Sequence, residues 1–384
     1  MSIGRRQFIS RCMKCGTVIA AGSLADSSRL FSIIPNDANA GLPKATDLSH
    51  VKASYYKKLN ELEVECYLCP RKCRVSPLER GYCGVRENDN GEYYTLVYSR
   101  PCSLNVDPIE KKPLFHFLPG TNAFSLATAG CNVNCKFCQN WNISQVRPEQ
   151  VDNYNLSPSD IANLAKNNLC PTIAYTYSEP VIFYEYMYDC AVNGHKAGIR
   201  SVAITGGYIQ HEPLIKLLKV LDAVKIDLKA FTDSFYKEYV NGKLKPVLDS
   251  IVTMHDAGMW IELVYLVIPT LNDNPDDIKR MCAWITENLG ADVPLHFTRF
   301  HPMYLMKNLP PTPVSTLEKL HNIAKNNGIN FVYVGNVPGH KYEHTYCPDC
   351  QKIIIERRGY NLGKFHIIDG KCEYCHSSIP GVWS

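Results

Sequence analysis

The sequence has no long apolar run in its main part and carries little net charge. After residue 40, no segment approaches the roughly 18 apolar residues that a membrane-spanning helix needs, which excludes such a helix there. The formal net charge is +4 and the basic residues are scattered, so nothing demands a nucleic acid or a membrane surface as partner. Internal repeats and low-complexity tracts are absent too. The 384 residues, 45% hydrophobic and 20% charged, suit a globular protein with one large catalytic domain and attachments.

The first 40 residues differ in composition from the rest and predict an export leader. Arg5-Arg6-Gln7-Phe8 is followed by a weak apolar stretch and then by the small-x-small sequence Ala38-Asn39-Ala40. Paired arginines before such a stretch resemble a twin-arginine signal. We therefore expect a mature protein that begins near Gly41 and lies outside the cytoplasm. The alternative is that residues 1–40 are a disordered basic leader on a cytoplasmic protein.

Cysteine is abundant, and its distribution is the main clue to function. The chain has 17 cysteines, of which eleven form three groups. The groups are Cys66, Cys69, Cys73 and Cys83; Cys131, Cys135 and Cys138; and Cys347, Cys350, Cys372 and Cys375. Tight Cys-x-x-Cys spacing suits a metal site better than a disulfide framework, which is mainly a device of small secreted domains. We therefore predict metal or iron–sulfur binding for all three groups.

Residues 121–335 alternate between apolar strand-like runs and helical stretches. The strand-like runs are 123–128, 172–177, 201–204, 223–228, 260–268, 294–299 and 330–334. The helical stretches are 158–167, 181–193, 212–219, 276–288 and 316–326, and the long connection before residue 260 is expected to hold two more. This alternation predicts an α/β fold with a parallel sheet that closes into a partial (β/α)6-type barrel, with the active site at the carboxyl ends of the strands. Residues 41–120 are then an N-terminal Cys-rich module, and residues 336–384 a C-terminal one.

The central cysteine group follows the first of these strands. Cys131, Cys135 and Cys138 are spaced so that three thiolates from one loop can bind a [4Fe–4S] cluster, which normally takes four. The next cysteine, Cys170, begins a strand much further along the chain, so one iron is left open for a small ligand. A zinc ion with a fourth ligand from elsewhere is the alternative.

This motif, with the aromatic Phe137 beside its last cysteine, resembles that of the radical S-adenosyl-L-methionine (SAM) superfamily. Residues 121–335 resemble its glycyl-radical activating branch, typified by pyruvate formate-lyase activating enzyme. The strings 107–120, 130–141 and 175–180 are similar to the radical SAM member of the AmmeMemoRadiSam system. The resemblance implies an oxidoreductase that cleaves SAM to a 5′-deoxyadenosyl radical, which abstracts hydrogen from an unknown substrate. A non-catalytic iron–sulfur electron-transfer protein is the alternative.

The resemblance also implies SAM contacts at successive strand ends. Family members carry a Gly-Gly-Glu-Pro turn after the second strand, which holds the SAM amino group. Here the string is Tyr177-Ser178-Glu179-Pro180, which keeps the Glu-Pro half and replaces the glycines. The cofactor contacts expected by this comparison are Ser178, Glu179, Thr205, Gly206, Gly207, Asp227, Lys229 and Ile268. The residue that acts on the substrate is not identified by it.

The same resemblance implies partners. A radical SAM enzyme needs an electron donor of flavodoxin or ferredoxin type. Members of the AmmeMemoRadiSam system act with Memo-like and AMMECR-like proteins. No nucleic-acid or membrane partner is indicated.

The two flanking cysteine groups predict further metal sites. Cys347-x2-Cys350 and Cys372-x2-Cys375 enclose an apolar hairpin and are typical of a structural zinc ribbon, with a second cluster or a redox pair as the alternative. His344 and His376 lie nearby and are expected at the surface. A ribbon can bind nucleic acid, but this one has no strong basic run other than Arg357-Arg358. The N-terminal group of four cysteines can take zinc or an auxiliary [4Fe–4S] cluster, and its spacing does not decide between them.

Overall fold

The N-terminal module consists of short antiparallel strands in the computed structural model, which describes residues 41–384. The strands are β1 (Val51–Lys52), β2 (Tyr56–Lys58), β3 (Val64–Cys66), β4 (Arg74–Val75), β5 (Arg86–Asp89) and β6 (Glu92–Thr95). They form two small sheets, with strand orders β1-β6-β5 and β2-β3-β4. A 3-10 turn, Asn60–Leu62, joins β2 to β3. The export leader predicted for residues 1–40 lies outside the described residues.

The strand-like runs of the central region form one sheet. Its strands are β7 (Ser103–Pro108), β8 (Asn122–Ala127), β9 (Thr172–Tyr175), β10 (Arg200–Thr205), β11 (Ala223–Asp227), β12 (Trp260–Val267), β13 (Leu295–Arg299) and β14 (Val332–Gly335). They follow one another in chain order across the sheet, parallel from β8 to β14, while β7 pairs antiparallel with β8. The predicted α/β class with a mostly parallel, partial barrel is confirmed. β7 belongs to this sheet although it precedes the predicted module boundary at residue 120.

Helices cover the outside of the sheet. They are α1 (Trp141–Ser144), α2 (Pro158–Asn167), α3 (Tyr184–Lys196), α4 (His211–Leu217), α5 (Asp233–Phe235), α6 (Leu244–Asp256), α7 (Pro275–Leu289) and α8 (Val314–Asn326). Shorter turns are Ile109–Lys111, Pro148–Gln150, Pro180–Phe183, the π-helical Tyr236–Val240 and Lys341–Glu343. Within residues 41–384, no helix combines the length and apolar character that crossing a bilayer requires.

Local sequence explains where these helices begin. Ser157 caps α2 in a capping box with Asp160, and Pro158 occupies the first turn, where its missing N–H costs nothing. The helix then turns Ile161 and Ala165 into the core. The run predicted as a helix from residue 181 begins instead as a 3-10 turn before α3, because Pro180 follows Glu179, whose side chain caps that turn.

The parallel register brings the strand ends together. Leu126 of β8 lies opposite Tyr175 of β9, and Thr205 of β10 lies opposite Ile226 of β11. The loops that follow β8 to β12 therefore open on one edge of the sheet. This is the edge at which parallel β/α folds place their active sites.

The opposite end of the barrel is closed by buried polar contacts. The backbone N–H groups of Phe115 and His116 donate to the Glu262 carboxylate over 3.0 and 2.8 Å, and His296 pairs with the same carboxylate at 2.8 Å. The His116 ring also bonds to the carbonyl oxygen of Pro380 at 2.7 Å. Because Pro380 belongs to the C-terminal module, these contacts hold that module against the barrel.

The C-terminal module is a small antiparallel unit. It contains β15 (Thr345–Tyr346), β16 (Ile353–Arg358), β17 (Asn361–Phe365), β18 (Ile367–Ile368) and β19 (Lys371–Cys372). β16 and β17 form the expected apolar hairpin, and β18 pairs with β19. Cys347 and Cys350 lie between β15 and β16, whereas Cys372 ends β19 and Cys375 follows it.

Candidate active site

The central cysteines occupy a loop that is held in place on several sides. The N–H of Gly130 donates to the carbonyl of Ile143 at 2.9 Å, and the N–H of Lys136 donates to that of Tyr239 at 2.9 Å. Gly130 has a φ of +96°, and a Cβ there would lie 2.6 Å from the carbonyl oxygen of Cys83. Only glycine allows both this conformation and this close approach. The loop that carries Cys131 is therefore fixed against the N-terminal module.

The three central thiols fit a cluster better than a single metal ion. In the part of the chain that the structure describes, only the C-terminal cysteines bring three or more ligand atoms within 4.8 Å of one another. The sulfurs of Cys131, Cys135 and Cys138 are thus not all within 4.8 Å of one another, and this wider spacing suits thiolates that each bind a different iron. Cys170 lies two residues before β9, at the end of the barrel opposite this loop, so it does not supply a fourth ligand here.

Glu179 lies buried beside this loop with its carboxylate oriented by three donors. It accepts hydrogen bonds from the hydroxyl of Thr205 at 2.5 Å and from the N–H groups of Gly206 at 2.9 Å and Val181 at 3.2 Å. Burial raises the pKa of Glu179, and these bonds oppose the rise. The side chain also acts electrostatically on the thiol of Cys131. A buried, oriented carboxylate beside an iron site is suited to bind an ammonium group.

Basic and acidic side chains alternate along β11 and the turn after it. Lys225 donates to Asp227 at 2.5 Å, and Lys229 lies 3.9 Å from the other oxygen of that carboxylate. Burial opposes ionisation of Asp227, but the two lysines outweigh it and lower its pKa. Burial likewise disfavours charge on Lys229, whereas the thiol of Cys135 and Asp227 raise its pKa. Asp227 and Lys229 thus favour their charged forms at the strand end. Burial lowers the pKa of Lys225, and its pairing with Asp227 opposes that effect.

Gly206 lies close to both the Glu179 carboxylate and the Lys229 side chain. A Cβ built on Gly206 would lie 3.4 Å from Oε2 of Glu179 and 3.6 Å from Cε of Lys229. Glu179 and Lys229 therefore both approach the face of Gly206 on which a side chain would lie. Gly207 follows with a φ of +68° and donates its N–H to the hydroxyl of Thr205 at 3.0 Å. The predicted Thr-Gly-Gly turn thus lies beside the two charged groups of the site.

Tyr177 takes the left-handed conformation that the family's glycine would adopt easily. Its φ is +65°, and its hydroxyl donates to the carboxylate of Asp107. The Lys112 ammonium lies 4.8 Å from the centre of its ring. Asn140, just after the cysteine loop, donates to the Tyr177 carbonyl at 2.8 Å, and Ser178 donates to the carbonyl of Thr128 at 2.7 Å. The turn before Glu179 is therefore tied to both sides of the cysteine loop.

Asn272 joins the loops that follow β11 and β12, and the sequence did not predict this role. Its side-chain oxygen accepts from the N–H of Ile268 at 2.6 Å, and its amide donates to the carbonyl of Lys229 at 2.9 Å. Ile268 is fully buried behind this contact. An asparagine shortly after a strand is the only sequence signal for it. Lys225 was missed as well, because one charge inside a strand gives no sign that it faces the site.

A buried ion cluster lies under the same turn. Asp107 pairs with Lys112 at 2.5 Å and with Lys111 at 2.8 Å. Burial opposes ionisation of Asp107, but the lysines and the bond from Tyr177 hold its pKa below the usual range. Burial lowers the pKa of Lys112 to about 8. These residues come from the string 107–120 and reach the site through Tyr177.

The four C-terminal cysteines form a compact site. The Sγ atoms of Cys347 and Cys375 lie 3.6 Å apart, and those of Cys350 and Cys372 lie 3.8 Å apart. A zinc ion with four thiolates at about 2.3 Å separates neighbouring sulfurs by about 3.8 Å. The geometry therefore fits one tetrahedral ion. His344 is not part of the set, since its ring accepts a bond from the N–H of Arg357 instead.

Comparisons with known proteins concern the family of the chain. The sequence profile described as the radical SAM superfamily matches residues 125–285. An uncharacterized protein of Methanocaldococcus jannaschii is 44% identical over 333 residues, which are 86% of this chain and 99% of that protein. Pyruvate formate-lyase-activating enzyme of Clostridium pasteurianum is 22% identical over 185 residues, covering 46% of this chain and 75% of the enzyme. A radical SAM methyltransferase structure from Sphaerobacter thermophilus overlaps 57% of this chain and 67% of its own, with 15% identity and a TM-score of 0.46.

Proposed function

The chain belongs to the radical SAM superfamily, and we propose that it binds a [4Fe–4S] cluster through Cys131, Cys135 and Cys138 and cleaves SAM there. When bound, the cluster supplies the single electron that breaks the sulfur–C5′ bond of SAM and so releases methionine and a 5′-deoxyadenosyl radical. The observation that carries the proposal is that the side chains of Glu179 and Lys229 come together at Gly206, beside the cysteine loop.

The strand-end residues support SAM binding by their charge and position. We assign the SAM ammonium to Glu179, whose oxygens are already oriented by Thr205 and Gly206. The SAM carboxylate is assigned to Lys229, and the ribose hydroxyls to Asp227, because these groups present one donor and one acceptor at the next strand end. Ile268 is proposed to support the adenine through apolar contact, because its own N–H and carbonyl already bond to Asn272. A protein that only transfers electrons would not need these SAM-binding residues.

The proposed reaction is of the activating type. Resemblance to pyruvate formate-lyase-activating enzyme supports hydrogen abstraction from a partner protein, with a flavodoxin- or ferredoxin-type electron donor. We propose Memo-like and AMMECR-like partners because of a resemblance to the radical SAM member of the AmmeMemoRadiSam system. That resemblance is carried by the segments 107–120, 130–141 and 175–180. The leader sequence is the basis for proposing export. Neither of these two proposals depends on the geometry of the site.

The C-terminal site is proposed to bind a structural zinc ion. Its four sulfurs have the spacing of a closed tetrahedral site, and Cys347 and Cys372 are fully buried. The site lies in the module that His116 holds against the end of the barrel opposite the cysteine loop. The ion would therefore stabilise the module and have no part in turnover.

Formation of 5′-deoxyadenosine tests the central proposal. A variant with Ala at Cys131, Cys135 and Cys138 should form none when given SAM and a strong reductant without oxygen. The matched control replaces three cysteines outside the ligand groups, Cys102, Cys170 and Cys282, with Ala and should retain the activity. Continued SAM cleavage by the first variant would overturn the assignment of the cluster.

A further inference from the structure

The N-terminal cysteine group surrounds a cavity next to the active site. Cys66, Cys69, Cys73 and Cys83 all line one small cavity in the described chain, and none of them forms a disulfide. Four free thiols around one cavity form a concentrated set of metal ligands. The arrangement therefore indicates a bound group that the thiols surround.

The separation of these thiols argues against zinc. The C-terminal cysteines provide an internal comparison, because their sulfurs have closed to within 4.8 Å of one another. Among residues 41–384, no second set of three or more ligand atoms is so close, so no three of Cys66, Cys69, Cys73 and Cys83 have all their sulfurs within 4.8 Å of one another. In a [4Fe–4S] cube each thiolate binds its own iron, so the four sulfurs lie further apart than around one zinc ion. The spacing of the sulfurs therefore favours a cluster.

The walls of the cavity suit a buried negative charge. Four thiolates around a cluster leave a net negative charge, which is costly to bury without compensation. The guanidinium of Arg86 lines the cavity, is 1% exposed and acts electrostatically on the thiols of Cys66 and Cys83. Glu185 forms an ion pair with that guanidinium and so holds it in place. A fixed guanidinium therefore lies beside the thiols in the protein interior.

Backbone N–H groups also favour negative charge on the sulfurs. Those of Leu68, Arg71 and Val85 act electrostatically on the thiols of Cys66, Cys69 and Cys83, respectively. Backbone dipoles near a ligand sulfur stabilise its thiolate form.

From these observations we propose that Cys66, Cys69, Cys73 and Cys83 hold a second [4Fe–4S] cluster, in which all four irons are bound by protein thiolates. Because this cluster has no open iron, it does not bind SAM. Its site shares a wall with the SAM site. The carbonyl of Cys83 lies against Gly130, and Asn132 lines the cavity while its carbonyl accepts a bond from Arg71.

Metal counts on the full chain, purified and reconstituted without oxygen, test the proposal. The unaltered protein should hold about eight irons and eight sulfides, together with about one zinc. Replacing Cys131, Cys135 and Cys138 with Ala should leave about four irons and four sulfides, with the Mössbauer spectrum of one cubane. In that background, Ala at both Cys69 and Cys73 should remove the remaining iron, whereas the control Cys102→Ala should not.

The opposite counts would overturn the proposal. A triple variant at the central cysteines that holds two zinc ions and no iron or sulfide would show that the N-terminal group is a zinc site. Iron that survives the added changes at Cys69 and Cys73 would place the second cluster elsewhere. If those two changes prevent folding, the count in the triple variant still decides, since its N-terminal group is intact. None of these counts depends on whether the protein cleaves SAM.

Discussion

Replacing Glu179 with Gln tests the SAM site with little change of shape. The amide keeps one oxygen for the hydroxyl of Thr205 but places an NH2 group where the N–H of Gly206 now donates at 2.9 Å. It also removes the negative charge that we assign to the SAM ammonium. A hydrogen bond between charged groups contributes about 1.5–3 kcal/mol, so SAM should bind about 10- to 150-fold more weakly.

The iron content should survive this change, which separates the two sites. Glu179 acts on Cys131 as a negative charge beside a thiolate, so its removal does not disfavour a negatively charged cluster. Equilibrium dialysis of SAM against anaerobic protein measures the affinity, and iron analysis measures the cluster. Glu212→Gln, which alters an exposed carboxylate at the start of α4, is the matched control. Unchanged SAM affinity in the Glu179 variant, or loss of its iron, would refute our assignment.

Three further predictions concern stability and location. Ala at Cys347 and Cys372 should release about one zinc and lower the melting temperature, as calorimetry with metal analysis would show. Burial lowers the pKa of His116 to about 4, whereas an unfolded histidine has a pKa near 6.5. The free energy of unfolding should therefore fall by about 2 kcal/mol between pH 7 and pH 4.5. Denaturant titration should show a smaller fall in the variant His116→Gln. Lys at Arg5 and Arg6 should keep the chain full-length in the cytoplasm on cell fractionation, whereas the unaltered chain should be exported.

The strand ends were predictable because several constraints agree there. Alternating apolar runs predict a parallel sheet, and a parallel sheet brings the ends of its strands to one edge. Glu179, Gly206 and Lys229 each follow a different strand, and the structure brings all three together. Their meeting follows from topology, so it needs no knowledge of side-chain packing.

Residues that act from inside an element were not predictable in the same way. Lys225 lies within β11, and the sequence does not say that its ammonium reaches Asp227. Asn272 lies in a loop whose path depends on the packing of β12, so its bonds to Ile268 and Lys229 appear only in three dimensions. The choice between zinc and a cluster at the N-terminal group had the same limit. Spacing along the chain does not fix the distance between sulfurs in space.

Tyr177 stands where the family's Gly-Gly-Glu-Pro turn has a glycine, and this explains why the segment 107–120 contacts the candidate active site. A non-glycine residue with a φ of +65° is strained by about 1 kcal/mol or more and persists only where its surroundings hold it. Here the tyrosine hydroxyl bonds to Asp107, and Lys112 supports both that carboxylate and the ring. The same turn orients Glu179. The buried Asp107–Lys112 pair therefore compensates for the missing glycine. The segment before β8 thus positions the proposed SAM site and also closes the other end of the barrel.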